Sequence, residues 1–549
     1  MNTVAAVDED AIVEAAAAAL RAKRPLKNAR LKAAADALRG NRAEEAERLL
    51  SNFLAQRPDD ASALLLLAET SLRLGRKERA LALLERCVAA APDYEAGRFV
   101  YASTHYQLNH LDLSLAELSR LLAADPHNIL YLDLKATVLV AMGRHQEAML
   151  CRRQLVEDHP QLPELWVKLA KALRGIGERE AGIDALRRAI ALNPACGSAW
   201  WTLADLKTTP FSDAEMAAME SVLASAGKTD RMYLHFALGK AYADRKNYPK
   251  SFDSYARANA MKRPTIRYDA DWLGGQIAQL KALFRREFFE DRAASGADSA
   301  APIFVVGLQR AGSTLVEQIL DSHPAIEATA ELPDITLLAE HLAETVGRDM
   351  GLGYPDVLAT LDRASLRNLG ENYLETTRFR RVRARPFFVD KSPYNFLHVG
   401  MIRLILPKAT IIDVRRHPLA CCWSNFSAHF ESGALFAYRM SELGRAYAEY
   451  VELMAHFDRV LPGYVVRVVY EDLVADPERE IRRLLDHIGL PFDDACLSFH
   501  ENRRAMDSVS SEQVRRPIFR DALDQWRNYE PWLEPLKTAL GPVLQTWRE

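Results

Sequence analysis

The sequence predicts an α-helical solenoid followed by an α/β domain with a parallel sheet. Small residues and prolines recur every 34 residues through the first half of the chain, as expected of stacked helical repeats. A stretch of small residues, 292–301, then interrupts the helical pattern, which is typical of a linker. From Pro302 onward, short apolar runs alternate with helical segments, and this alternation indicates a parallel sheet with crossover helices.

Composition excludes several classes of protein. The chain has 549 residues with 71 Lys and Arg against 74 Asp and Glu, so its net charge of −3 argues against nucleic-acid binding through bulk charge. The sequence contains no apolar stretch of about 20 residues, so it predicts no membrane span. The acidic Asp8, Glu9 and Asp10 are unlike a secretory signal, and we expect a cytoplasmic protein. The six cysteines form no Cys-x-x-Cys pair, so neither a disulfide framework nor a zinc site is expected.

The 34-residue period consists of three columns that stay in phase. Small residues let two helices of each unit approach closely, and a proline ends the second helix because it lacks an N–H group. The first small-residue column is Ala34, Ala68, Ala102, Ala136, Ala170 and Ala204. The second is Ala46, Ala80, Ser114, Ala148 and Gly182. The prolines are Pro58, Pro92, Pro126, Pro160 and Pro194.

This pattern resembles the tetratricopeptide repeat family. Trp166, Leu169 and Ala170 match its Trp-x-x-Leu-Gly/Ala element, and the same residue types recur one period later. The resemblance covers residues 27–264, about seven units, with an insertion around 207–230 before a last unit at 236–264. Such repeats form a concave face. We therefore expect a protein or peptide in the solenoid groove; a spacer or a dimerisation scaffold is the alternative.

The remaining boundaries follow from the repeats and the change of composition. Residues 1–26 are interpreted as an N-terminal helical extension, and 265–301 as a closing helix with a linker. A single long helix is expected over 268–292. The α/β domain is then expected over 302–549.

A glycine loop follows the first predicted strand, 303–306. A strand, a glycine loop and a helix N-terminus together bind anions through backbone N–H groups and the helix dipole. A nucleotide triphosphatase has Lys directly after the second glycine of this loop. Here Ser313 follows Gly312, and the nearest cation is Arg310. The loop is therefore P-loop-like but lacks the triphosphatase lysine; a purely structural turn is the alternative.

Two segments of this domain resemble the sulfotransferase family. The loop matches the family's 5′-phosphosulfate pattern through Arg310, Ala311, Gly312, Ser313 and Thr314. A later strand end matches its 3′-phosphate site through Arg416, Pro418 and Ser424. The resemblance implies 3′-phosphoadenosine 5′-phosphosulfate as co-substrate and no metal. Arginine suits this task because its guanidinium binds phosphate in a bidentate manner.

Two further segments resemble the tyrosylprotein branch of that family. Tyr470, in a Tyr-Glu-Asp-Leu segment, is implied to contact the nucleotide, although a buried structural tyrosine is the alternative. The resemblance also implies Arg516 in the cationic donor pocket. The last segment matches through Ser510, Gln513, Val514, Arg516, Pro517, Ala522, Leu523 and Trp526.

The chemistry expected from the resemblance is an in-line displacement at sulfur. Glu331 occupies the position of the branch's catalytic glutamate and is implied to accept the acceptor's proton. Lys391 is implied to act as acid or charge stabiliser at the bridging oxygen, with Arg310 and Ser510 completing the stabilisation. His398 and His429 are interpreted as ordinary surface or core residues.

The acceptor stays open at this point. In the tyrosylprotein branch, arginines near the catalytic glutamate recognise acidic peptides. In this sequence Leu332, Pro333 and Leu337 occupy that neighbourhood. In addition, Gln525 replaces a lysine that the branch has near its late tryptophan. We expect the acceptor to be a hydroxyl, namely that of a protein tyrosine docked by the repeats. One alternative is a carbohydrate or small-molecule acceptor with the repeats recruiting a partner. Another is a nucleotide-binding scaffold without catalysis.

Overall fold

The computed structural model describes residues 20, 26, 28–207, 209–293, 295–430, 433–502, 504, 511–520 and 523–549. The chain divides into two compact units, residues 2–161 and residues 162–549. Most of the expected N-terminal extension, together with Ser510 and Ala522, lies outside the described residues.

The first unit consists of antiparallel helix pairs. Both predicted columns of small residues lie at the contacts within these pairs, and their members are fully buried. The Ser114 hydroxyl, for example, donates to the Ala102 carbonyl at 2.8 Å, so the two columns touch. The helical prediction for this half is therefore confirmed. The helices are α1 (Ala29–Arg39), α2 (Ala43–Leu54), α3 (Ala61–Arg73), α4 (Lys77–Ala90), α5 (Glu95–Gln107), α6 (Leu111–Ala124), α7 (Ile129–Ala141) and α8 (His145–Asp158).

The second unit begins with the remaining repeats. The 34-residue phase is lost here, because α11 has only nine residues and packs against α13, while the ten-residue α12 is inserted between them in the chain. A capping box at Ser212 and Glu215 starts α12. The helices are α9 (Pro163–Gly175), α10 (Arg179–Leu192), α11 (Gly197–Asp205), α12 (Asp213–Val222), α13 (Lys228–Asp244) and α14 (Tyr248–Lys262).

The expectation of one long helix over 268–292 is wrong. The segment forms α15 (Ala270–Leu283) and α16 (Arg286–Glu290), with a break between them. Phe284 leaves the helical conformation with ψ 69° and is fully buried. Its ring packs so closely on Gly400 that a Cβ there would overlap it. Burial of this aromatic ring, which stabilises more than continued helical hydrogen bonding does, explains the break.

The small residues after α16 do not form a free linker. The Ala297 N–H donates to the Ile405 carbonyl at 2.8 Å, and the Ala301 carbonyl accepts from the Phe388 N–H at 2.9 Å. A Cβ on Gly296 would overlap the Ile405 carbonyl. Small size here serves close packing rather than flexibility, which the composition by itself does not distinguish.

A five-stranded sheet with every pairing parallel forms the core of the following domain. The strands are ordered β2-β3-β1-β4-β5, so the first strand lies at the centre. Every residue of β1 is buried, as expected of a sheet covered on both faces. This confirms the predicted α/β class. The strands are β1 (Pro302–Gly307), β2 (Ile326–Ala328), β3 (Phe387–Asp390), β4 (Thr410–Arg415) and β5 (Val465–Val469).

Helices connect and cover these strands. The connection from β1 runs to one side of the sheet, and the later connection from β3 crosses to the other side, which places a topological switch beside β1. The helices are α17 (Ser313–Ser322), α18 (Asp334–Leu342), α19 (Arg348–Met350), α20 (Arg363–Arg378), α21 (Val399–Ile405), α22 (Pro418–Phe426), α23 (Met440–Val460), α24 (Tyr470–Ala475), α25 (Pro477–Ile488), α26 (Ser511–Val514), α27 (Glu534–Leu540) and α28 (Val543–Thr546).

The last repeat packs directly on the α/β domain within the second unit. The Phe252 ring of α14 stacks against Trp423 and Phe426 of α22 and against Trp532, with ring centroids 5.3–6.3 Å apart. The Asn259 amide donates to the Phe426 carbonyl at 2.8 Å. The repeats therefore help to hold α22 in place.

Three general findings complete the description. Among the described helices, none has the length and apolarity needed to cross a membrane. All six cysteines are buried and free. Within the described ranges, no group of three or more His, Cys, Asp or Glu side chains is arranged to hold a metal ion.

Candidate active site

The predicted site residues gather at one edge of the sheet. Loops leaving the carboxyl ends of parallel strands meet at the same edge, and in open α/β sheets ligands bind there, beside the topological switch. Arg310 follows β1, Lys391 follows β3 and Arg416 follows β4. Glu331 lies after β2, and Tyr470 follows β5.

The loop after β1 is a tight turn that only glycine permits at two positions. Gly307 has φ +140°, and a Cβ there would lie 2.5 Å from the Val414 carbonyl oxygen. Gly312 has φ +107°, and a Cβ there would lie 2.6 Å from Cδ2 of Tyr470. Arg310 itself has φ +67°. Helix α17 begins directly after Gly312, so its first N–H groups, which have no partner within the helix, face this loop.

Side chains after β4 hold this loop and bring the two predicted phosphate elements together. The Arg310 Nε donates to the Ser424 Oγ at 3.1 Å. An Arg416 guanidinium N–H donates to the Arg310 carbonyl at 3.1 Å. The Asn425 amide donates to the Gln309 carbonyl at 2.8 Å. Residues more than a hundred positions apart in the sequence thus form one cationic cluster.

Tyr470 closes one side of this cluster. The Arg416 guanidinium lies 5.0 Å from the centre of its ring, within the range of a cation–π contact. Burial raises the pKa of Tyr470, and the neighbouring Arg416 opposes that effect only in part. Its hydroxyl therefore stays neutral beside the cations.

The cluster is electrostatically suited to an anion. Burial lowers the pKa of Arg310, Asp205 of the repeats opposes this, and Arg416 lowers the pKa further. Two mostly buried guanidinium groups that repel one another are stabilised by a negative charge placed between them. The missing Cβ at Gly312 and the helix N-terminus leave backbone N–H groups accessible to the same charge.

A second pair of groups lies after β2 and β3. The Lys391 Nζ contacts the Glu331 carboxylate directly. The Lys391 side chain is 3% exposed, whereas that of Glu331 is 56% exposed. Burial would lower the pKa of Lys391, but the carboxylates of Glu331 and Glu317 outweigh it and raise that pKa above its usual value. Lys391 is therefore a buried, firmly protonated ammonium beside a solvent-accessible carboxylate.

Buried polar groups position this pair. The Asp390 carboxylate accepts from the Tyr373 hydroxyl at 2.9 Å. Burial raises the pKa of Asp390 well above its usual value. Leu332 is also buried. The Thr329 N–H and hydroxyl donate to the Val389 carbonyl at 3.2 and 2.8 Å, so the segment that carries Glu331 is tied to the strand that precedes Lys391.

Two important residues have no signal in the sequence. Glu317, on α17, lies 3.9 Å from Lys391 and binds Arg504 at 2.8 Å. The Tyr394 hydroxyl accepts from the Ala434 N–H. In the sequence, Glu317 lies close to the loop and Tyr394 lies close to Lys391. This closeness is the only sequence feature that could have suggested these two residues.

The later segments contribute differently from the expectation. Arg516 is exposed, and no contact within the described part of the chain joins it to Arg310 or Arg416. Its neighbour Arg515 instead approaches the Gly175 and Arg504 carbonyls at 3.5 and 3.4 Å. Trp526 stacks on His417, with ring centroids 5.1 Å apart. Ser510 lies outside the described residues.

The two histidines set aside from the sequence are core residues. His398 is buried, its Nδ1 lies 2.8 Å from the Tyr354 hydroxyl, and burial lowers its pKa to about 4. His429 packs against the rings of Tyr233 and Phe236.

The described site thus combines a parallel α/β domain, a glycine loop at a helix N-terminus, two clustered arginines and an adjacent Lys–Glu pair. Comparison with protein families identifies the domains. Residues 302–494 match the sulfotransferase family, and residues 37–96, 78–138 and 163–206 match tetratricopeptide repeats. The chain therefore combines tetratricopeptide repeats with a sulfotransferase-family domain.

Similar proteins agree with this assignment. An uncharacterized protein of Aquifex aeolicus is 30% identical over 414 residues, which is 74% of this chain and 54% of that protein. Protein-tyrosine sulfotransferase 1 of Danio rerio is 27% identical over 240 residues, 41% of this chain and 65% of that enzyme. The chain thus spans between half and two thirds of these two relatives.

A third relative has a different named acceptor. The omega-hydroxy-beta-dihydromenaquinone-9 sulfotransferase Stf3 of Mycobacterium tuberculosis is 25% identical over 262 residues, 38% of this chain and 68% of that enzyme. Among solved structures, MamA is 17% identical over 29% of this chain and 94% of MamA, with a TM-score of 0.28, which is too low to support any conclusion.

Proposed function

We propose that this protein transfers a sulfuryl group from 3′-phosphoadenosine 5′-phosphosulfate to an acceptor hydroxyl. The observation that carries the proposal is the convergence of two sets of residues at one sheet edge. Arg310 contacts both Ser424 and Arg416, and the Lys391–Glu331 pair lies beside α17, the helix that follows the loop, with Glu317 of that helix 3.9 Å from Lys391.

In this proposal the arginine cluster binds the donor. The loop 307–314 and the N-terminus of α17 receive the 5′-phosphosulfate. Arg416 and Ser424 receive the 3′-phosphate, and Tyr470 packs against the nucleotide. Ala311, Ser313 and Thr314 contribute through the loop backbone and hydroxyls. Arg516, which is exposed, is kept as an outer contact that forms only with donor bound.

The Lys391–Glu331 pair performs the transfer. The acceptor oxygen attacks sulfur, the bond between sulfur and the bridging oxygen breaks, and the acceptor's proton passes to Glu331. Lys391 stabilises the negative charge that the leaving phosphate gains, and Arg310 assists it. Ser510 is proposed for the same charge stabilisation. The exposure of Glu331 supports the assignment, because an acceptor has to reach the base from solvent.

A protein hydroxyl, such as a tyrosine, is the proposed acceptor, with the repeats docking its carrier. The match to protein-tyrosine sulfotransferases and the repeat array support this choice. The buried Leu332 and the exposed Pro333 offer no cation for an acidic peptide. A small-molecule acceptor is the second candidate, favoured by the match to Stf3.

We also propose that the protein works in the cytoplasm and that its functional boundaries are those expected from the sequence: 27–264 for repeats, 265–301 for the connection and 302–549 for catalysis. Six free, buried cysteines support a reducing compartment.

Labelled donor, purified protein and a panel of peptide, glycan and small-molecule acceptors test the function. Arg310→Ala is expected to lose donor binding. Glu331→Gln is expected to keep donor binding and to lose transfer by about 100-fold or more. Glu371→Gln, an exposed glutamate on α20, is the matched control and should behave as wild type.

Each outcome is informative. Full transfer by Glu331→Gln would remove Glu331 as the base. Tight donor binding by wild type without transfer to any acceptor would favour the non-catalytic scaffold. Absence of donor binding by wild type would refute the proposal as a whole.

A further inference from the structure

Helix α22 contacts the loop 307–314, here called the donor loop, with one of its faces. From that face the Ser424 Oγ accepts from the Arg310 Nε at 3.1 Å. The Asn425 amide donates to the Gln309 carbonyl at 2.8 Å. Both residues of the helix are thus attached to the donor loop, and a shift or rotation of α22 would change the position of Ser424 relative to Arg310.

The opposite face of α22 packs on the last repeat. Successive residues of an α-helix are about 100° apart around its axis. Trp423 and Phe426 therefore lie opposite the two residues that contact the donor loop. The Phe252 ring of α14 stacks on both of them, with ring centroids 6.2 and 6.3 Å apart. The helix is thus held between the donor loop and a repeat.

Three residues of α14 face α22 and are here called the α14 stripe: Phe252, Tyr255 and Asn259, at positions i, i+3 and i+7. The rings of Tyr255 and Trp423 meet edge to face, with centroids 5.9 Å apart. Asn259 is 1% exposed, and its amide donates to the Tyr255 and Phe426 carbonyls, each at 2.8 Å. Phe426 is the last residue of α22, where carbonyls have no partner within the helix. Asn259 supplies a partner for this helix end.

The length of α22 makes these contacts important for its position. The helix has nine residues, and helices this short are not stable in water without tertiary packing. The last repeat and the donor loop belong to the same compact unit, 162–549. The place of Ser424 is therefore set by the packing of α22 on the α14 stripe as well as by the loop that it contacts.

We propose that Asn259 is a positioning residue for donor binding, which acts with the rest of the α14 stripe to hold Ser424 where it receives the 3′-phosphate of the donor. The inference rests on the proposed function, which assigns Ser424 to that phosphate. Asn259 acts through α22 and is assigned no contact with the nucleotide. The last repeat then belongs to the donor-binding unit, because residues 302–549 do not contain the surface that orients α22.

Calorimetry on the full chain tests this role with two nucleotides, 3′-phosphoadenosine 5′-phosphate and adenosine 5′-phosphate, which differ only in the 3′-phosphate. The ratio of their dissociation constants measures recognition of that phosphate. Asn259→Ala leaves the Phe426 carbonyl without its partner and introduces no larger side chain. It is expected to weaken binding of 3′-phosphoadenosine 5′-phosphate by about 5- to 30-fold and that of adenosine 5′-phosphate by less than about threefold.

A second variant and a control separate positioning from loss of stability. Phe252→Leu keeps an apolar side chain in the α14 stripe and should change the ratio in the same direction, so it serves if Asn259→Ala does not fold. Leu139→Ala removes a buried side chain of α7 in the first unit. This control should lower the stability of the protein and leave both dissociation constants unchanged.

A double-mutant cycle with Ser424→Ala tests whether Asn259 acts through α22. If it does, Asn259→Ala/Ser424→Ala should bind 3′-phosphoadenosine 5′-phosphate about as weakly as Ser424→Ala alone, because the two losses then have one cause. Losses that add fully would mean that Asn259 does not act through Ser424, and the inference would be refuted.

The remaining outcomes distinguish this inference from the proposed function. If wild type binds neither nucleotide, the proposed function fails. If Ser424→Ala lowers the ratio while folded Asn259→Ala and Phe252→Leu keep it, or weaken both nucleotides equally, only the role of Asn259 is refuted. If Ser424→Ala keeps the wild-type ratio, both the 3′-phosphate role of Ser424 and the inference fail, although donor binding stands.

Discussion

Gly312 offers the most direct test of the donor loop, through its replacement by alanine. Alanine at φ +107° is strained and costs roughly 1–2 kcal/mol relative to glycine. Its Cβ would also lie 2.6 Å from Cδ2 of Tyr470, whereas ordinary contacts begin near 3.4 Å. The ring has to move by nearly an ångström, which disturbs its contact with Arg416 and adds about 0.5–2 kcal/mol. The total expected loss of stability is about 1.5–4 kcal/mol.

Gly489→Ala separates the two contributions. Gly489 has φ +84° after α25, and a Cβ there meets nothing within 4 Å. This variant should lose only the conformational part, about 1–2 kcal/mol, and should bind nucleotide normally. Gly312→Ala should lose more stability and bind 3′-phosphoadenosine 5′-phosphate at least about tenfold more weakly, since about 1.4 kcal/mol corresponds to a factor of ten.

The double variant Gly312→Ala/Tyr470→Ala measures the coupling directly. Removal of the ring removes the overlap, so the double variant should be more stable than the sum of the two single effects by about 1 kcal/mol or more. Denaturant unfolding supplies the free energies and calorimetry supplies the affinities. If Gly312→Ala matches Gly489→Ala in stability and wild type in nucleotide affinity, the close approach of Tyr470 to the loop has no role, and the reasoning is wrong.

Three further perturbations test other parts of the structure. Burial lowers the pKa of His398 from 6.5 to about 4, so its neutral form contributes to the stability of the fold. This contribution, roughly 3 kcal/mol, should be complete above pH 6.5 and should decline as the pH falls toward 4. Denaturant unfolding of His398→Asn should therefore show a flatter pH dependence than wild type or the exposed control His341→Asn. Phe252→Ala should destabilise the second unit by about 2–3 kcal/mol in thermal unfolding, because three aromatic rings lose a stacking partner; an unchanged Tm would contradict the packing. Glu317→Gln should lower the pKa of Lys391 and shift the basic limb of the pH–rate profile to lower pH. If that limb does not move, Glu317 does not raise the pKa of Lys391.

Periodic and local features were predictable from the sequence for a simple reason. The 34-residue columns predict helix pairs because each repeat makes the same contact with its neighbours, so one pattern describes all of them. The loop at Gly312 was recognisable because phosphate binding by backbone N–H groups requires a short, contiguous segment. Both are properties of neighbouring residues.

Features that depend on distant residues escaped prediction. The long helix expected over 268–292 is broken because Phe284 packs on Gly400, a contact between positions over a hundred residues apart. The small residues of 292–301 predict a linker, whereas in the structure Ala297 is hydrogen-bonded to Ile405. Composition reports the size of side chains and gives no information about what packs against them.

The sequence by itself determined the two architectures, the glycine loop after β1 and the residue types at the carboxyl edge of the sheet. Only the tertiary structure decided that Arg310 contacts Ser424 and that Glu317 sustains the charge of Lys391. The physical reason is that the charge and pKa of a group depend on burial and on neighbours within a few ångströms, and those neighbours are brought together by the fold rather than by their order in the chain.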